Sequence, residues 1–298
     1  MTEDIFHDVD DRSAVMPDGR TVAWTAWGDP TGTPLLRIPG TPGSRWNVRA
    51  DRTPWRSRGL YVLTSERPGY GASTRLPGRR FSEHADDLAR LLDVEGVDRA
   101  FVTGGSGAGP HILSFLSRHP DRVRAATVTA GGAPLREQDV AQMIELNQQG
   151  HRLARARDTD GLLALLESVR EQLVADPLAS IRATMAEAPA DDLAIMNDPA
   201  WQVTFVRSVR ESLAVGADGW LDECLALAND WPEIDLAAVT PSVTWWHTPA
   251  DRNAPFEAAK VLVEQLPDAR LNVWEDGGHF ASYRLEGEVL DELLSRGT

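Results

Sequence analysis

The sequence predicts a single α/β domain: a mostly parallel central sheet flanked by helices, with a helical block inserted in its second half. Three observations predict it. Short β-prone runs alternate with amphipathic helical stretches, which implies βαβ crossovers and so parallel strands. From about residue 136 to 230 the alternation gives way to helical periodicity alone. After residue 241 it resumes and runs to the end. The expected division is therefore a core of residues 1–134 and 236–298, with 135–235 as a helical cap, or lid, inserted in it.

In chain order, residues 21–27 (TVAWTAW) are β-prone and follow a hairpin-turn signal at Asp18-Gly19-Arg20. Residues 35–38 form a short apolar run stopped by Pro39-Gly40, and 60–64 form another. Residues 81–92 read as a helix with Leu88, Leu91 and Leu92 on one face and Ser82 as its cap. Residues 100–103 form a strand that runs into glycines. The following helix continues through 111–118 and stops before Pro120, and 125–130 is a strand again. Within the helical block, Leu162, Leu165, Leu166, Val169 and Leu173 make one apolar stripe. Trp201, Phe205, Val209 and Leu213 make a second, opened by Asp198 as cap and Pro199 in the first turn. Strands at 242–247 and 271–274 and helices at 255–266 and 285–295 complete the pattern.

Composition narrows the class. With 42% hydrophobic and 25% charged residues the chain is an ordinary globular protein and not a disordered one. A net charge of −15 repels phosphate backbones and anionic lipid, which argues against nucleic-acid and membrane partners. Lys260 is the sole lysine, and its AAKVLVEQL setting is that of an ordinary helix, so Schiff-base and Walker-type chemistry are disfavoured. Cys224, the sole cysteine, can form neither an internal disulfide nor a thiolate metal site. Its place in a helix of the inserted block reads as a small packed residue. The N-terminus is acidic without an apolar run, so no signal peptide is expected, and the location expected is cytoplasmic.

Residues 101–110, Phe-Val-Thr-Gly-Gly-Ser106-Gly-Ala-Gly-Pro, carry the chemistry. Ser106 sits between a strand and a helix with Gly104 and Ala108 two residues to either side, the spacing of a nucleophile elbow. Small residues are needed there because strand and helix approach closely beneath a strained serine. The same segment can be read as a structural glycine turn or a phosphate loop. A phosphate loop needs Gly-Lys-Ser/Thr, and a dinucleotide fingerprint needs a small residue where Pro110 stands. A serine hydroxyl needs a base. His279, in Glu-Asp-Gly-Gly-His-Phe after the last strand, is the candidate. His7, His84, His119 and His151 read as surface residues, His111 as helix packing, and His247 as a residue near the site's mouth. The imidazole needs a carboxylate to fix its tautomer. Asp251 stands at the C-terminal end of the strand 242–247, where it can also be read as a turn aspartate. Glu275 and Asp276 are too close to His279 in sequence to reach its ring. Backbone N–H groups must face the developing oxyanion. Gly107 supplies one, and the loop 39–43 supplies the other through Thr41, with Gly40 behind it, since Pro39 and Pro42 lack the donor.

With these pieces in order the chain resembles the α/β-hydrolase superfamily, in particular its proline-iminopeptidase-like and small-esterase branches. The resemblance covers nearly everything outside the inserted helices. It rests on Pro-Gly-Thr-Pro-Gly near residue 40, Glu66-Arg-Pro-Gly-Tyr-Gly-Ala-Ser73, the Ser106 segment, Asp251-x-x-x-Pro and Gly-Gly-His279. It implies the α/β-hydrolase fold, a triad of Ser106, Asp251 and His279, oxyanion donors Thr41 and Gly107, no metal or organic cofactor, and a small-molecule acyl substrate. The chain departs from the family at Pro39, where His-Gly usually precedes the first donor. The first functional reading is hydrolysis of an ester, thioester or amide through an acyl-enzyme. An aminopeptidase of the proline-iminopeptidase type is the second. It needs cap carboxylates for the substrate's ammonium, with Glu145, Glu167, Glu171 and Glu187 as candidates. A hydrolase-like fold that binds ligands without catalysis is the third. Trp46, Tyr70, Trp201, Trp220 and Trp231 are candidates for lining an apolar pocket, each equally at home in a core.

Overall fold

The structure, a computed structural model, describes residues 5–297. Among the described residues eight strands form one sheet: β1 Asp10–Val15, β2 Thr21–Gly28, β3 Thr33–Ile38, β4 Leu60–Ser65, β5 Ala100–Gly105, β6 Val123–Thr129, β7 Val243–His247 and β8 Ala269–Val273. Their order is β1-β2-β4-β3-β5-β6-β7-β8. The pairs β1–β2 and β2–β4 are antiparallel and every other pair is parallel. The core helices are α1 Thr53–Arg56, α2 Phe81–Val94, α3 Ala108–Arg118, α11 Phe256–Val263 and α12 Glu286–Arg296. Between β6 and β7 lie α4 Glu137–Val140, α5 Glu145–Arg155, α6 Thr159–Ala175, α7 Pro177–Thr184, α8 Ala190–Met196, α9 Pro199–Ser212 and α10 Asp218–Leu227.

Both faces of the sheet are covered, which is why its strands read as apolar runs. On one face Leu36, Ile38, Val102 and Val128 pack against Leu88, Ile112 and Leu262 of α2, α3 and α11. On the other, Leu35, Val62 and Phe101 meet Trp55 of α1 and Leu290 and Leu293 of α12. The switch of face between Leu35 and Leu36 is the period-2 alternation of a strand. Each large apolar side chain so buried stabilises by about 1.5–3 kcal/mol.

The inserted helices have their own core, in which Leu162, Leu166, Leu173, Val209 and Leu213 surround Tyr70 from the loop after β4. Asp198 caps α9 through Ala200 N–H at 2.9 Å, with Pro199 in the first turn. Two local readings need correction. Ser82 does not cap α2. The N-cap is Arg80, whose N–H is held by Glu83 at 2.9 Å, and Ser82 lies inside the first turn. Strand β1 has no counterpart in the sequence reading, because its acidic edge sequence DDRSAV lacks an apolar run. Among the described residues no helix is long and apolar enough to cross a membrane.

Candidate active site

The C-terminal ends of β3, β5 and β7 and the loop after β8 converge on one cavity of about 380 Å³, lined by Ser106, Thr41 and His279. Ser106 follows β5 directly and adopts φ 57°, a left-handed conformation that places a serine under strain. Its N–H is held at 3.1 Å by the carbonyls of both Thr129 and Ala130. Small neighbours make the turn possible. A Cβ on Gly104 would stand 2.5 Å from the Ile38 carbonyl oxygen and 2.7 Å from Ala108 Cβ. Replacing Ser106 by glycine relieves about 1–2 kcal/mol of strain and adds about 0.4–1 kcal/mol of unfolded-chain entropy. The expected result is a net gain of about 0.5–1 kcal/mol in urea unfolding; a loss of stability would contradict the strain.

Asp251 and His279 are brought together from 28 residues apart, Nδ1 to Oδ2 at 2.8 Å. The other Asp251 oxygen accepts the N–H groups of Asn253 at 2.7 Å and Ala254 at 3.0 Å, which locks its rotamer. An ionised carboxylate only accepts, so Nδ1 carries the proton and Nε2 keeps a free lone pair. Burial alone would raise the Asp251 pKa, but His279 and then His247 overturn it and hold the carboxyl far below its usual range. For His279, burial would lower the pKa, and Asp251 reverses this and raises it above its ordinary value. Ser106 Oγ and His279 share no hydrogen bond among the described residues; both face the cavity.

The loop 39–43 lies against the elbow. A Cβ on Gly107 would meet Thr41 Oγ1 at 2.2 Å and Thr41 N at 3.4 Å. One on Gly40 would sit 3.2 Å from Ser106 Cβ. Neither Thr41 N–H nor Gly107 N–H has an acceptor among the described residues, so both are available to a ligand oxygen. The Pro39 departure is absorbed by Arg67, which donates to the Pro39 and Gly40 carbonyls at 2.6 Å each.

Several histidine readings change. His84 is buried, not at the surface, with Nδ1 2.9 Å from Nδ1 of His111. His111 is more than packing, since its Nε2 lies 3.0 Å from Glu223 Oε1. His247 does not line the cavity. It is fully buried behind Asp251, 3.4 Å from Oδ2, and bonded to the Ala254 carbonyl at 2.8 Å. His151 is half-buried and lines the cavity, as do Trp201, Trp220, Trp231 and Cys224, whereas Trp46 and Tyr70 do not. Glu275, Asp276 and Lys260 are exposed.

Two residues of the inserted helices were invisible to sequence reading. Asp192 of α8 accepts the Phe280 N–H at 3.0 Å beside His279. Glu223 of α10 accepts the Thr41 hydroxyl at 3.1 Å and also binds Arg79. Among the described residues no group of three or more His, Cys, Asp or Glu side chains is placed to hold a metal ion.

The family described as the alpha/beta hydrolase fold matches residues 33–284. The chain belongs to the α/β-hydrolase family. This hydrolase is 23% identical over 252 residues to the 2-hydroxy-6-oxononadienedioate/2-hydroxy-6-oxononatrienedioate hydrolase 1 of Dechloromonas aromatica, covering 84% of this chain and 80% of that protein. Among solved structures it resembles a thermophilic esterase from Thermogutta terrifontis, with TM-score 0.68, 19% identity and coverage of 97% and 99%. An alpha/beta hydrolase fold protein from Nakamurella multipartita has TM-score 0.67 and 22% identity, with coverage of 97% and 100%.

Proposed function

We propose that this hydrolase is a serine esterase-type enzyme that cleaves an ester, thioester or amide through an acyl-enzyme on Ser106. The observation that carries the reading is His279, held by buried Asp251, facing the same cavity as a strained serine and two unoccupied backbone donors. Ser106 Oγ attacks the carbonyl carbon while His279 Nε2 takes its proton. The carbonyl oxygen becomes an oxyanion held by Thr41 and Gly107 N–H. Collapse expels the leaving group, which takes the proton from His279. Water then attacks the acyl carbonyl with His279 as base, and the acid departs as Ser106 regains its proton. Residues 135–235 act as the cap that closes the cavity and selects the acyl group.

The aminopeptidase reading draws no support from its four candidate carboxylates. Glu145, Glu171 and Glu187 are exposed, Glu167 pairs with Arg170 at 2.5 Å, and none of them lines the cavity. A fluorophosphonate probe tests the proposal against a non-catalytic binding protein. Labelling of Ser106 in native protein, lost on heat denaturation, is expected; an unlabelled serine would overturn it.

The pH profile follows from His279, which must be neutral to accept a proton. Its pKa is raised by Asp251, so the acid limb of kcat/KM should have its midpoint above about 6.5. Asp251→Asn removes the main opposition to burial, and the midpoint should move downward. Measuring both profiles on one p-nitrophenyl ester checks the sign, and an unmoved limb would exclude His279 as the base.

A further inference from the structure

Arg37 is a buried cation without a carboxylate of its own. It lies on β3 among Leu35, Leu36 and Ile38, 7% exposed. Its Nε donates to the Asn47 carbonyl at 2.9 Å and Nη2 to Asn47 Oδ1 at 2.8 Å. Nη1 makes no hydrogen bond among the described residues, and the side chain lines the cavity that holds Ser106 and His279. Arg49 also lines it, with its guanidinium 3.8 Å over the Tyr283 ring and a buried Nη1 lacking any partner. The neighbouring carboxylate is Glu286, and both its oxygens are occupied, one by Arg49 Nε and the other by Trp55 Nε1 at 2.8 Å.

Two guanidinium groups therefore share one carboxylate inside a cavity. Burial, then Arg49, push Arg37 down to about 10, which still leaves it charged at neutral pH. An uncompensated buried charge is strongly destabilising. Asn47 supplies dipoles, not charge, and the Trp55 ring at 5.7 Å offers only a weak cation–π contact. The free donors of a guanidinium fork match the two oxygens of a carboxylate.

We propose that Arg37 and Arg49 form a carboxylate-binding subsite, so that the substrate of this hydrolase carries a carboxylate remote from its scissile carbonyl. The inference rests on the serine-hydrolase reading for the word substrate, but the binding itself does not need turnover. Arg37 pairs with Thr103 across β3 and β5, three residues before Ser106. At about 3.3 Å per residue and about 4.8 Å between strands, the two α-carbons stand roughly 11 Å apart. A linear diacid monoester spans such a gap.

The test is calorimetric titration of Ser106→Ala protein with monomethyl adipate and with dimethyl adipate, which differ by one charge. 6-Acetoxyhexanoate, with its carboxylate on the alcohol side, shows which half of the substrate reaches the arginines. At least one anionic ester is expected to bind about tenfold more tightly than the neutral one. Adding Arg37→Met should erase that preference and leave dimethyl adipate unchanged. Equal affinities, no binding of any ester at tens of millimolar, or a preference that survives Arg37→Met would overturn the subsite. If Arg37→Met does not fold, the comparison of charged and neutral esters on Ser106→Ala protein still decides. Failure of the fluorophosphonate to label Ser106 sinks the hydrolase reading separately, because the titration reads no turnover.

Discussion

Ser106→Ala is expected to lower kcat for a p-nitrophenyl ester by about 10⁵–10⁶-fold, equivalent to about 7–8 kcal/mol of transition-state stabilisation. The size follows from the proposed mechanism: without the hydroxyl no acyl-enzyme forms, and His279 has no proton to take. His279→Ala should cost a similar factor, and the double variant should be no worse than either. That non-additivity is the signature of groups acting as one device, since each is useless without the other. Stability should barely change with Ser106→Ala, because alanine keeps the Cβ and the left-handed backbone at φ 57°. Circular dichroism and a urea melt separate lost chemistry from lost folding. Residual turnover within tenfold of the native chain would end the nucleophile assignment.

The sequence exposed some layers of this arrangement and hid others for physical reasons. Strands such as β3 and β5 are legible because burial on both faces demands mostly apolar residues, and the elbow because close strand–helix approach demands small residues at 104 and 108. Asp251 and His279 are legible by type and by strand-end position. His84, His111 and Glu223 are not, because their signal is a pair of contacts between helices, 27 and 112 residues apart, and each is locally an ordinary helical polar residue. Arg37 is hidden in the opposite way: in sequence it interrupts an apolar strand, and only the cavity beside it and the occupied oxygens of Glu286 give the interruption meaning. Asp192 and Glu223 share a pattern. Each brings a buried carboxylate from the inserted helices onto a loop of the candidate site, Asp192 onto the His279 loop and Glu223 onto Thr41.

Glu223→Gln is expected to destabilise the fold by about 3–5 kcal/mol, a large part of a typical domain's stability. Glu223 is fully buried, binds Arg79 through Oε2, lies 3.7 Å from Arg67 Nε and accepts from His111 and Thr41 through Oε1. Burial pushes His111 down to about 4, so this imidazole is neutral at pH 7 and brings no charge. Removing the Glu223 charge takes away the carboxylate that the buried Arg67 and Arg79 share. Burial alone would raise the Glu223 pKa, yet the charges of Arg67 and Arg79 and the hydrogen bond from His111 hold it well below the usual value. A depressed folded pKa gives stability that is present above the unfolded value near 4.5 and lost as pH falls below it. The native chain should therefore lose this contribution on acidification, and the Gln variant should show a shallower acid limb. The same substitution weakens the anchor on Thr41, and in the proposed mechanism a misplaced oxyanion donor costs about 10²–10³ in kcat. Urea midpoints at pH 7 and pH 4, with kcat on the folded fraction, measure both effects. A shift below about 1 kcal/mol at pH 7 would mean that Arg67 and Arg79 find other anions, and that the inserted helices do not govern the loop 39–43 through this carboxylate.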